Sequence, residues 1–146
     1  MPDTPNPPSP ILGLRHLALR VTDIDRSRKF YEGFFGMKAV WEPDPGSVYL
    51  SSGSDNLALH QLSAEEKESF RGGGIHPLDH LGFIVDSPET VRRLEKKAAE
   101  RGERIVKPYR DHRDGSSSFY FSDPDGNVVQ VLYEPNISPR KAKKEV

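Results

Sequence analysis

Three of the chain's five histidines, His16, His60 and His80, and one glutamine, Gln130, carry the side chains best suited to chemistry. Each lies in a short run rich in apolar residues (LRHLALRV, LALHQL, DHLGFIV and VVQVLY), where a polar ring or amide needs a reason to be present. A neutral imidazole donates a hydrogen bond through one nitrogen and accepts, or ligates a metal, through the other. Glutamine offers a weaker carbonyl oxygen, and imidazole suits Zn, Fe, Ni or Cu. The set therefore fits either a transition-metal centre or a polar pocket whose members bond to one another and to water. Tyr120 adds a hydroxyl able to donate a hydrogen bond or a proton, although an aromatic residue in a strand serves packing equally well. The polar stretch from Tyr109 to Ser116 brings Arg110 and Arg113, which suit a remote anionic group.

Composition narrows the partners. With 146 residues, the chain is long enough for one domain with a real core, and a second full domain is not expected. The formal net charge is −1, and Lys141, Lys143 and Lys144 form only a short basic tail, so no nucleic-acid partner is expected. The chain has no cysteine, which excludes disulfides, thiolate metal ligands and a cysteine nucleophile. No apolar run is long enough to span a bilayer, and the proline-rich start lacks the apolar run of a signal peptide. A cytoplasmic protein without a membrane partner is the expectation.

The elements that must hold these side chains follow from periodicity. The clearest is a hairpin from Phe119 to Glu134, FYFSDPDGNVVQVLYE, in which two β-rich runs flank a turn of Ser122, Asp123, Pro124, Asp125 and Gly126. Its second strand puts Val128, Gln130, Leu132 and Glu134 on one face. Earlier, Leu14 to Val21 alternates, with Leu17, Leu19 and Val21 opposite His16, Ala18 and Arg20. Asp23 caps a helix over Ile24 to Phe35, Gly36 stops it, and its aromatic stripe is expected to pack on the preceding strand. Strands are expected over Lys38 to Glu42, Ser47 to Ser51 and Leu57 to Leu62.

Residues 64 to 77 lack a sustained apolar period and read as a linker. The pattern then restarts with a strand over Asp79 to Val85 and a helix opened by Ser87 and Pro88 and ended by Gly102. A strand over Arg104 to Lys107, a loop over Tyr109 to Ser116, and the hairpin complete it. HLALRV from His16 and HLGFIV from His80 are the same strand met twice, so the chain reads as two βαβββ units, 13–63 and 78–135, between flexible tails at 1–12 and 136–146. His16 and His80 then face away from the helices, and His60 is expected in the place that Gln130 takes in the second unit.

At this point the residues resemble the vicinal oxygen chelate superfamily, which includes glyoxalase I, extradiol dioxygenases, fosfomycin-modifying enzymes and bleomycin-resistance proteins. The resemblance covers roughly Leu14 to Glu134. It rests on HLALRVTDIDRSRKFYEGFFGM from His16, on DHLGFIV around His80 and on SFYFSDPDGNVVQV from Ser118. It implies an α+β fold in which two βαβββ units form an open eight-stranded mixed barrel with helices outside. It also implies a homodimer whose units pair within one chain or across two. By position, the implied ligands of a divalent metal (Zn, Fe, Ni or Mn) are His16, His60, His80 and Gln130, with Gln130 and Tyr120 the candidate catalytic groups. Arg110, Arg113 and Tyr120 are the candidate substrate-binding groups.

Glyoxalase I and the fosfomycin-modifying enzymes carry glutamate where this chain has Gln130, and glyoxalase I commonly carries one where His60 stands. The extradiol dioxygenases need two histidines and a carboxylate. In the fosfomycin-modifying enzymes a hydroxyl residue usually stands where this chain has Ala18. An all-neutral ligand set leaves both charges of the metal uncompensated and favours an anionic oxygen ligand. The expected function is a metal-dependent enzyme of lyase, isomerase or dioxygenase type acting on a small, oxygen-chelating, anionic substrate. The alternative is a metal-free binding protein of the bleomycin-resistance type.

Overall fold

A computed structural model describes residues 10, 12–70 and 77–138, so the expected tails at 1–12 and 136–146 lie mostly outside the described residues. The chain forms two compact units, Met1–Ser63 and Ala64–Val146. Each carries one four-stranded mixed sheet and a long helix, which gives the expected α+β class.

In the first unit, β1 (His16–Val21), α1 (Ile24–Phe35), β2 (Lys38–Asp44), β3 (Ser47–Ser51) and β4 (Asn56–Gln61) follow in sequence. The sheet order is β1-β4-β3-β2, with β1 parallel to β4 and the other pairs antiparallel. Helix α1 begins where the Asp23 carboxylate accepts from the Arg26 amide at 3.1 Å. It stops at Gly36, whose φ of 68° is the left-handed conformation glycine adopts without cost. The aromatic stripe is core as expected, with Phe30, Tyr31 and Phe34 buried. It lies chiefly over β4 and β3 rather than over β1, because β4 is the centre of the sheet next to β1. Opposite it stand Leu19, Val21, Val48, Leu50, Leu57 and Leu59, each buried. Full burial of one such side chain contributes about 1.5–3 kcal/mol.

The second unit opens with a short helix, α2 (Ala64–Ser69), inside the stretch read as linker. None of its residues is buried, so no apolar period announced it. Then come β5 (Leu81–Ile84), α3 (Pro88–Glu100), β6 (Ile105–Asp111), β7 (Ser117–Ser122) and β8 (Val128–Tyr133), in sheet order β5-β8-β7-β6 with β5 parallel to β8. Strand β6 runs through the first part of the expected loop. Pro108 disguises it, since proline cannot donate to a ladder; the strand tolerates it at the sheet edge, where the register shifts between Lys107 and Arg110.

The hairpin turn is built on Asp123, which is buried. Its carboxylate accepts from the amides of Asp125 (2.9 Å) and Asn127 (2.8 Å) and from the Asn127 side chain, while Gly126 takes a φ of 87°. Pro88 occupies the first turn of α3, and the Ser87 hydroxyl accepts from the Thr90 amide at 3.2 Å. Replacing Ser87 by alanine orphans that donor and is expected to lower unfolding stability by about 1 kcal/mol in urea denaturation, with an unchanged slope.

The two sheets repeat one another closely. Strands β4 and β8 share one burial pattern along their six residues. Ala18 pairs with Ala58 in the first sheet, and Gly82 with Gln130 in the second.

Candidate metal centre

In the second unit, three expected site residues meet on one sheet face. Residues paired across strands share a face, so Gly82, Gln130, Tyr120 and Lys107 form a row across β5, β8, β7 and β6. The Gln130 amide nitrogen donates to the Tyr120 hydroxyl at 2.9 Å. That bond leaves the Gln130 carbonyl oxygen as the outward acceptor and leaves the tyrosine O–H free to donate. Gly82 keeps that oxygen uncovered on the β5 side, where an added Cβ would lie 3.5 Å from it. His80, immediately before β5, meets the Tyr120 ring edge to face at 5.2 Å between centroids. The Lys107 ammonium lies 5.3 Å from the centre of the same ring.

The His80 Nδ1 is 2.6 Å from an Asp79 carboxylate oxygen. That hydrogen bond, and the charge of the ring whenever it is protonated, hold the Asp79 carboxyl below the usual carboxylate range. A carboxylate on Nδ1 fixes the proton there and turns the Nε2 lone pair outward, the arrangement found behind metal-ligating histidines. His16 in the first unit is prepared alike, with its Nδ1 2.7 Å from the Asn56 side-chain oxygen. In the second unit the Nε2 of His80 and the carbonyl oxygen of Gln130, and in the first unit the Nε2 of His16, are thus each left over by a neighbouring side chain's hydrogen bond, and donors of these types suit a divalent transition metal. Replacing Asp79 by asparagine keeps an acceptor but removes the charge that raises imidazole basicity. A loss of about 10- to 100-fold in metal affinity is expected, measured by competition with a chromogenic chelator.

His60 does not take the place of Gln130. The parallel register puts Ala58 there, while His60 pairs with Arg20, four residues along β1 from His16. At about 3.3 Å per residue that separates His16 from His60 by about 13 Å along the strands. Two imidazoles on one ion need nitrogens within about 4 Å of each other, since each metal–nitrogen bond is about 2 Å. His60 instead shares a hydrogen bond of 3.0 Å with the Ser47 hydroxyl and meets the Tyr49 ring at 5.8 Å. Sequence spacing alone could not show this, because the first unit's hairpin and the second's differ in length.

Arg110 pairs with Ser118 and so lies on the same face as Tyr120, whereas Arg113 belongs to the turn beyond β6. Asp79, Asn56, Gly82 and Lys107 were missed by sequence reasoning. Asp79 had a legible signal, being an acid directly before a strand histidine. Asn56 and Gly82 act only through register. Among the described residues no group of three or more His, Cys, Asp or Glu side chains is clustered for a metal.

The sequence profile of the Glyoxalase/Bleomycin resistance protein/Dioxygenase superfamily matches residues 13–131. The chain is 30% identical over 122 residues to the metallothiol transferase FosB of Bacillus licheniformis, covering 83% of this chain and 75% of that protein. It is 29% identical over 125 residues to a probable trivalent organoarsenical cleaving enzyme of Bacillus subtilis, covering 81% and 77% of the two chains. Among solved structures, an integron cassette protein from the mobile metagenome of V. cholerae superposes with a TM-score of 0.62 at 32% identity, covering 86% and 97%. A lactoylglutathione lyase of Agrobacterium tumefaciens superposes at 0.67 with 24% identity, covering 86% and 96%, a likeness of fold.

Proposed function

Because the chain belongs to the glyoxalase/bleomycin resistance protein/dioxygenase superfamily, we propose that it is a metal-dependent enzyme acting on a small, oxygen-chelating, anionic substrate. The proposed ligands are His80 and Gln130 in the second unit, and His16, which holds the position equivalent to His80 in the first unit, is proposed as a ligand by that equivalence. The observation that carries this is their shared preparation: each has one polar atom tied to a neighbouring side chain and the metal-competent atom left over. A bound divalent ion would supply Lewis-acid stabilisation of an oxyanion or enolate. The chain's own groups do the rest. Tyr120 donates its O–H to a substrate oxygen, and Arg110 and Lys107 on the same face balance a remote negative charge.

The names of the relatives offer two chemistries. Trivalent arsenic is a soft centre that favours thiolate, and this chain has no cysteine, so thiol transfer is the better fit. The test is consumption of L-cysteine thiol by manganese- or zinc-loaded protein in the presence of a small anionic epoxide. Thiol loss above the protein-free blank, abolished in His80→Ala, supports the reading; no loss over the blank with any of Zn, Mn, Ni or Fe(II) removes thiol transfer. The lack of a carboxylate at Gln130 favours a second reading, a metal-free binding protein, which thermal shift against small ligands would reveal. A homodimer is proposed with either. No described helix is long and apolar enough to cross a membrane.

A further inference from the structure

The internal repeat places Tyr49 where the second unit has Tyr120, since Tyr49 pairs with Ala58 as Tyr120 pairs with Gln130. Alanine at 58 cannot reach the hydroxyl as Gln130 does, and among the described residues no hydrogen bond holds the Tyr49 hydroxyl. Around Tyr49 the same sheet face carries a continuous set of rings. Trp41 lies 4.8 Å from it between centroids, His60 5.8 Å, and His16 6.5 Å and nearly parallel. Trp41, the chain's single tryptophan, is 59% exposed, and Ala18, on the same face of β1 as His16 and Arg20, is exposed. Next to the rings, Arg20, His60 and Ser47 form one register row of cationic and hydrogen-bonding groups.

We infer that this face of the first unit is a binding subsite for a planar aromatic carboxylate or a close analogue. The ring stacks on Trp41 and Tyr49, the ring's polar substituent accepts from the Tyr49 hydroxyl, and the acid lies toward Arg20 and His60. Aromatic faces prefer offset or tilted stacking at such centroid distances, which a saturated ring of the same size cannot exploit. The subsite deepens the small-molecule function proposed above by naming an aromatic substrate or co-substrate, and it does not depend on the metal.

Trp41 reports on it directly. Titration of the full-length protein with 4-hydroxybenzoate, exciting at the red edge of tryptophan absorption, is expected to give a saturable change in emission. The saturated trans-4-hydroxycyclohexanecarboxylate is expected to bind at least about tenfold more weakly. Ala18→Leu, at an exposed position, should weaken the aromatic probe by about tenfold or more with melting temperature and metal content unchanged. By calorimetry, Trp41→Ala should do the same, and Tyr49→Phe should weaken 4-hydroxybenzoate but not benzoate. Equal binding of aromatic and saturated acids, or wild-type binding in both Ala18→Leu and Trp41→Ala, overturns the inference. So does a Trp41 emission that shifts with protein concentration alone while sedimentation shows a doubled mass, because the face is then closed by a second copy. Protein that binds the aromatic acid yet takes up no metal leaves this inference standing and removes the metal-dependent reading instead.

Discussion

His80→Ala is expected to abolish metal retention through gel filtration and to weaken metal affinity by at least about a hundredfold, or about 2.7 kcal/mol. The argument starts from position. His80 precedes β5 and is half-buried rather than part of the core, its ring meeting the sheet through the edge-to-face contact with Tyr120, so its loss removes little of the packing that holds the sheet together. Its Nδ1 is already engaged by Asp79 at 2.6 Å, which dedicates Nε2 to an outside partner. Removing the carboxylate behind a ligand costs about 10- to 100-fold, so removing the ligand itself must exceed that. The melting temperature of the metal-free variant should stay close to that of metal-free wild type. Stoichiometric metal in folded His80→Ala protein would remove His80 from the ligand set.

Gln130→Glu is the second large effect, and it has opposite signs with and without metal. Gln130 is buried at 8% exposure, with the Tyr120 hydroxyl as its hydrogen-bond partner. A carboxylate there, without a cation, is a buried charge whose pKa rises because desolvation disfavours the ionised form. The metal-free variant is therefore expected to melt below wild type, most clearly above pH 7, where ionisation is forced. With a divalent metal the carboxylate compensates charge that the amide cannot, and affinity should rise by at least about tenfold, or about 1.4 kcal/mol. Metal should thus restore the lost stability by mass action. Turnover gained in this variant marks the natural protein as a binder, whereas loss of an existing activity marks a specialised enzyme. Metal affinity unchanged by the substitution would show that residue 130 does not touch the ion.

Elements announced by local chemistry were legible in the sequence. Asp23 and Gly36 bound α1 at Ile24–Phe35, Ser87 and Pro88 open α3, and the Asp123–Gly126 turn fixes the hairpin. Elements that depend on tertiary pairing were less so. Strand β6 continues past Pro108 because an edge tolerates a missing donor, and α2 has no buried face to betray it. The site divided in the same way. His16, His80 and Gln130 stood out as polar residues in apolar strands, and the repeat of HLALRV and HLGFIV gave the equivalence of the two histidines. The equivalence of His60 with Gln130 failed because register is set by strand pairing, not by counting back from a turn. Ala58 holds that place and contributes no donor that a sequence motif could flag. The partners of the proposed ligands, Asp79 and Asn56, act through single hydrogen bonds and leave almost no pattern of their own.

Elemental analysis of untagged protein purified without added metal, alongside His16→Ala and His80→Ala, tests the metal-dependent reading most directly. Close to one equivalent of a transition metal per chain, lost in both variants while their circular dichroism stays native, is expected. Wild-type protein that holds none, and takes up none after incubation with Zn, Ni, Mn and Fe(II), would contradict it.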